Sequence, residues 1–352
     1  MHLIWLVILL LATLARPVQA GFSSMYVFGD SVSSVTDSPG PPNYHGNRYS
    51  NGRVWVEVLA QRQGLTLTTN QNISFFGHYS PILVSNVNNF AAPADAATAL
   101  FVVWVNNADL VGCTFEISFP YDATDIPLWT NKLNLALSNY STAFQTLYSK
   151  GARTILAPSP VDVSRAPNYS GNSSADKAFI RQRSLEFNTR FTSLMGQLQN
   201  SLTNLTIVVP DMFSQFDELF AHPAVYGFTN TTGDALDADL PNYSFTGPGT
   251  NFLFWDYINP GARSQEIFAD KAQSVLTPAR VAALTKVNGS NQLSVVNLPL
   301  GLGGFVESST NLLSWTAVQS FNSTNSSQAI IVPVSGPKQY YRLRFPYVWT
   351  WP

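Results

Sequence analysis

A continuous apolar run, Leu100-Phe-Val-Val-Trp-Val105, constrains the fold of this chain more than any other stretch. It lacks the alternation of a half-wet strand and is too short to span a bilayer, so it reads as a strand buried on both faces. Strands of that kind need helices on both sides, and the neighbouring sequence supplies them. Arg53 to Gln63 carries Val54, Trp55, Val58 and Leu59 at helical spacing, after an Asn51-Gly52 turn. Asn131 to Lys150 lines up Leu133, Leu137, Tyr140, Phe144 and Leu147 on one face, and Gly151 closes it. Ala175 to Leu202 repeats apolar residues at Phe187, Phe191, Leu194, Met195, Leu198 and Leu202, and Gly261 to Leu276 makes a last helix. Between them lie short apolar strands at Tyr26 to Phe28, Thr154 to Pro158 and Thr206 to Val209. Asp211 is an N-cap for a helix from Met212 to Phe220, whereas Thr66 to Pro93 reads as a short strand among long loops. Such alternation predicts an α/β fold with a parallel sheet, whose ligands bind beyond the carboxyl ends of the strands. Ser31, Asn106 and Asn107 all follow strand ends, which gathers them on one rim.

The two ends of the chain differ from this middle. His2 to Leu14 is apolar without an acidic residue, and Val18-Gln19-Ala20 fits a small-x-small cleavage site. The run is shorter than the ~20 residues of a span, so a signal peptide at 1–20 is preferred over an uncleaved anchor. From Arg280 onward, Leu293 to Leu298, Gly304 to Glu307, Ala329 to Val334 and Tyr340 to Phe345 are short β-type runs broken by Gly, Pro, Ser and Asn. The predicted organisation is a signal peptide, an α/β domain at 21–279 and a small β-rich module at 280–352. The phrase Val306 to Ala317, closed by Gln339-Tyr-Tyr-Arg-Leu-Arg344, resembles small β-sandwich modules at the C-termini of secreted bacterial proteins. Such a module serves as a stabilising cap, with surface or carbohydrate attachment as the alternative.

Bulk properties exclude several functions. A net charge of -2 with 11% charged residues argues against nucleic acid or an anionic membrane as partner. The single cysteine, Cys113, rules out an intrachain disulfide and a cysteine zinc site. Export without disulfides points to a bacterial secreted or periplasmic protein, in which Asn-x-Ser/Thr triplets such as those at Asn72, Asn139, Asn204 and Asn230 reflect loop composition and not glycosylation. No cluster has metal-ligand spacing and no glycine-rich phosphate loop is present, so no metal or cofactor is expected. Oligomeric state is not set by anything in the sequence.

The chemistry is concentrated in two places. Met25-Tyr-Val-Phe-Gly-Asp-Ser-Val32 reads as a buried strand that breaks at Gly29 and presents Ser31 near backbone N–H groups. Far downstream, Phe254-Trp-Asp-Tyr-Ile-Asn-Pro260 sets Asp256 and Asn259 three apart, before a helix that Pro260 can start. These stretches resemble the GDS serine block and the D-x-x-H block of the SGNH (GDSL-type) hydrolase family, and Asn51-Gly-Arg-Val-Trp55 matches a phrase common after the serine block. The resemblance covers roughly Met25 to Leu276 and implies a three-layer α/β/α, flavodoxin-like fold. It also implies Ser31 as nucleophile, Asp256 as its acidic partner and Asn259 in the family's histidine position.

The family's oxyanion block, Trp-x-Gly-x-Asn-Asp-x, is similar to Trp104-Val-Asn-Asn-Ala-Asp-Leu110, so Asn106 or Asn107 would supply the donor, Asn107 for preference. The alternative is that both only shape the turn after the strand. The glycine block resembles Asn88 to Asp95, with Pro93-Ala94 where a glycine pair is usual, and Gly77 is a second candidate. An asparagine amide has no basic lone pair near neutral pH, and His45, His78 and His222 read as solvated or structural. The expected function is a secreted serine ester hydrolase for acyl esters of lipid or carbohydrate, with impaired turnover. The competing expectation is a catalytically silent homologue that binds a glycan or acylated ligand. Adhesion through the β-module is a third.

Overall fold

The computed structural model describes residues 21–37, 43–236, 249–334, 338–346 and 350–351. The predicted signal peptide lies outside the described residues. The first unit alternates strands and helices: β1 (Met25–Gly29), α1 (Trp55–Gln63), β2 (Asn72–Ser74), α2 (Ser80–Asn89), β3 (Leu100–Trp104), α3 (Asn106–Glu116), α4 (Ile126–Ser149), β4 (Thr154–Leu156), α5 (Ser174–Ser201), β5 (Thr206–Val208) and α6 (Met212–Ala221). A two-stranded pair, β6 (Asn230–Asp234) and β7 (Phe252–Phe254), and the helix α7 (Ala262–Leu276) complete it. Strands β1 to β5 form one parallel sheet in the order β2-β1-β3-β4-β5. This is the predicted α/β/α architecture.

Alternation along β3 builds the two helical layers. Phe101 meets Tyr26 and Phe90, ring centroids 5.5 and 6.2 Å away, on the side of α2. Trp104 projects from the opposite face and meets Trp55 of α1 at 5.1 Å and Phe268 of α7 at 5.7 Å. Every residue of β3 is buried, as its unbroken apolar run requires. No helix of the described residues is long and apolar enough to cross a membrane.

Two helices differ from the sequence reading. Thr66 to Pro93 contains α2 as well as β2, because Pro81 at the helix start and the buried Leu83 and Val87 outweigh its Asn-rich composition. Asn106 and Asn107 open α3 instead of shaping a turn.

A second apolar core, including Leu293, Val295, Val306, Ile330, Val332 and Leu343, belongs to the C-terminal β-module. Its strands are β8 (Arg280–Val287), β9 (Ser290–Val296), β10 (Gly303–Ser309), β11 (Thr316–Asn322), β12 (Ser327–Val332), β13 (Tyr340–Arg344) and β14 (Thr350–Trp351), in antiparallel sheets ordered β12-β9-β8 and β11-β10-β13-β14. The module docks on α1, whose Arg62 also binds α7. Arg62, in the last turn of α1, donates to Asp270 Oδ1 at 2.9 Å and Glu266 Oε1 at 3.2 Å, and reaches Leu300 O at 3.3 Å. Leu300 N–H returns a bond to Arg62 O at 3.0 Å.

Candidate active site

Strand β1 ends at Gly29, and the chain folds at once into a single 3-10 turn, Ser31–Ser33, capped by the Asp30 side chain through Val32 N–H at 3.0 Å. Glycine is required at 29 because a β-carbon there would collide with Ser33 Cβ and Oγ. Ser33 is itself fixed by Trp55 Nε1, which donates to its Oγ at 2.9 Å. The sharp turn leaves Ser31 at the carboxyl end of the sheet, where parallel α/β folds bind ligands.

The downstream segment meets it there. Ser31 Oγ donates to Asn259 Oδ1 at 2.7 Å, and Asn259 Nδ2 donates to Asp256 Oδ1 and Oδ2 at 3.1 and 2.9 Å. Asp256 Oδ1 also accepts from the Ile258 and Asn259 N–H groups, at 2.9 and 2.6 Å, and Tyr44 O–H donates to Oδ2 at 3.0 Å. Burial pushes the Asp256 carboxyl up, and these donors hold it back. Ser31, Asn259 and Asp256 thus form one buried hydrogen-bonded chain. Loops draw it together: Trp255 Nε1 donates to Asn43 O at 2.8 Å, and Asn168 N–H to Tyr257 O at 2.8 Å.

Beside Ser31 opens a cavity of about 260 Å³. Val111, Phe115, Val161, Val163, Phe216 and Ile258 give it mainly apolar walls, and Ser31, Asn107 and Asn259 give it a polar end. Asn107 Oδ1 accepts from Val161 N–H at 2.9 Å, so the donor half of its amide is the uncommitted one. Asn106 does not line the cavity. It is fully buried, its Nδ2 is spent on Pro158 O at 2.8 Å, and it braces the segments after β3 and β4. Of the two asparagines expected at the oxyanion site, only Asn107 lines the cavity, and Asn106 is a buried brace.

The glycine block also needs correcting. Asp95, next to Pro93-Ala94, accepts from Ser23 Oγ at 2.8 Å and Ser24 Oγ at 2.6 Å, which lie before β1 and so at the amino end of the sheet. Gly77, after β2 and with φ 76°, lines the cavity instead. Gly77 is the second of the two positions expected from the sequence, and it follows the strand that flanks β1.

None of the three histidines lines the cavity. His78 is buried against the Phe75 ring, with Nδ1 2.9 Å from Gly29 O, and burial lowers its pKa to about 4. His222 is exposed, 3.9 Å from Glu218, and His45 stands beside Arg48 and Glu57. Among the described residues no group of His, Cys, Asp and Glu is arranged to hold a metal ion.

Behind Ser31 two carboxyl groups are buried near each other. Asp30 is raised to about 7, first by burial and further by the charge of Asp109, against donors from Val32 and Ala108. Asp109 is raised to about 6 by burial, against bonds from Ser80 N–H at 3.0 Å and Tyr140 O–H at 2.8 Å. Both retain protons in the folded state that the unfolded chain has released, so their contribution to stability is full below pH ~4 and is lost as pH rises through 6 to 7. His78 has the opposite sign, because its lowered pKa favours folding as pH rises from ~4 to ~6.5. Two carboxyls outweigh one imidazole, so the urea midpoint is expected to be higher at pH 5 than at pH 8. A midpoint that increases over that interval would refute this assignment.

A parallel sheet carrying a serine at the end of its first strand, linked through one side chain to a buried aspartate, is the layout in which a serine hydrolase holds its nucleophile. The profile of the GDSL-like Lipase/Acylhydrolase family matches residues 25–272, from β1 into α7, and the chain belongs to that family of serine carboxylic ester hydrolases. GDSL esterase/lipase APG of Arabidopsis thaliana is 21% identical over 213 residues, which is 56% of this chain and 60% of that protein. Thermolabile hemolysin of Vibrio parahaemolyticus is 21% identical over 269 residues, 71% of this chain and 62% of its own length. The match thus spans less than two thirds of either relative. Among solved structures, Axe2, an acetylxylan esterase from Geobacillus stearothermophilus, aligns over 72% of this chain and 93% of its own, with 12% identity and a TM-score of 0.40.

Proposed function

We propose that this chain is an exported bacterial GDSL-type protein that binds acyl esters of lipid or carbohydrate at Ser31 and turns them over slowly. The observation that carries this reading is the bond from Ser31 Oγ to Asn259 Oδ1. In a working triad the serine's partner removes its proton as the ester carbonyl is attacked. Asn259, standing where the family has its histidine, accepts the hydrogen bond but is too weak a base to take the proton. Asp256 then holds the amide in place and has no imidazolium to stabilise. Substrate binding does not need the base. The apolar cavity takes the acyl chain, and Asn107 with the Gly77 backbone faces the carbonyl oxygen. Export rests on the apolar leader at 2–14 and its small-residue cleavage site.

The test compares hydrolysis of a short-chain nitrophenyl ester by the natural chain and by Ser31→Ala. Turnover is expected to lie at least ~10³-fold below that of an enzyme with a complete triad, with burial of the ester still detectable as competition by longer-chain esters. Rapid turnover abolished by Ser31→Ala would overturn the proposal, because it would require a base this reading does not contain.

A further inference from the structure

We infer that Gly112 sets how the cavity responds to acyl-chain length. This rests on the reading of the cavity as an acyl pocket. Helix α3 presents Ala108, Val111, Gly112 and Phe115 to it, the spacing of one helical face. Ala108 marks the end nearest the serine, since it lies beside Asp30, which precedes Ser31 in the chain. Gly112 stands one turn further, about 6 Å along the helix. Phe115, almost one turn beyond Gly112, is 70% exposed and marks the solvent side of this helix face.

Nothing in the fold calls for glycine at 112. Its φ is not left-handed, and a β-carbon built there meets no heavy atom within 4 Å. Alanine would make the better helix residue. The position lies on the cavity wall, so what its missing side chain leaves is room in the cavity. An acetyl group attached near Ser31 stops short of Gly112, whereas a hexanoyl or longer chain passes over it. A leucine there would place an isobutyl group across that path.

The experiment is isothermal titration of straight-chain methyl ketones, from 2-pentanone to 2-undecanone, into the full chain and its variants. Their carbonyl stands in for that of the ester, and they cannot be hydrolysed. In the natural protein each added methylene should tighten binding by about four-fold until the cavity is filled. Gly112→Leu should leave the shortest ketone unaffected and weaken the longest ten-fold or more. Gly112→Ala, which favours the helix and so guards against a folding failure, should shift the series in the same direction by less. Equal binding of the long ketones by all three proteins would overturn the role of Gly112. Failure of the natural protein to bind any ketone would overturn the acyl reading itself, and with it this inference.

Discussion

Asn259→His is expected to raise hydrolysis of a short-chain nitrophenyl ester by about 10³-fold or more. Loss of a triad histidine costs about 10⁶ in turnover, and a positioned general base alone is worth 10² to 10⁴. The surroundings of Asn259 are already those such a base needs. Asp256 is buried and aimed at the side chain of residue 259, and Tyr44 and two backbone N–H groups fix its carboxylate. An imidazole with Nδ1–H on Asp256 would extend Nε2 toward Ser31, into the cavity that Asn259 lines. A gain of this size is ~4 kcal/mol of transition-state stabilisation. The new activity should rise with pH through the histidine range, near 6.5, and should vanish when Ser31→Ala is added. A folded Asn259→His protein with unchanged turnover would place the defect on the oxyanion side, at Asn107 and Gly77.

The second large effect concerns stability. Arg62→Ala is expected to cost about 3–5 kcal/mol, because it strands the Asp270 carboxylate in the interior. The side chains of Arg62 and Asp270 are 2% and 1% exposed, so water cannot replace the lost partner. Substituting both, as Arg62→Met with Asp270→Leu, removes the pair without leaving a charge behind and should recover most of the loss. Urea unfolding at pH 7 measures both proteins. A loss below about 1 kcal/mol for the single variant would show that this pair contributes no more than a surface one. Because Arg62 also bonds Leu300, the single variant should loosen the C-terminal module first, seen as a separate early transition.

The sequence exposed the architecture where periodicity was strong. The unbroken apolar residues of β3 and the helical repeats of α4 and α5 leave few alternatives, and those elements lie within a few residues of their predicted bounds. It concealed α3, because Asn106-Asn107 carries the chemistry of a turn, and only packing against the sheet makes these residues the first turn of a helix. That omission blurred the site, since the same helix divides the two asparagines, one inward as a brace and one onto the cavity. For the glycine block the sequence offers two places, because a short phrase near Asn88 resembles it; the strand neighbouring β1 is β2, whose end leads to the second, Gly77. The module's β8 and β11 are not legible because their residues are mostly exposed and their apolar residues follow no strict alternation.

The hydroxyl of Ser31 and the amide that receives it are 228 positions apart in the chain. At a ribosomal pace of about 5–20 residues per second, the serine turn is made on the order of ten to fifty seconds before its counterpart exists. Once Val111 and then Phe216 have emerged, they face an unfinished cleft with greasy surface on view until residue 259 follows. A nascent chain stalled before residue 256 would hold a largely assembled sheet whose most adhesive face is still uncovered. Such stalled chains are where chaperone dependence and clumping should first be looked for.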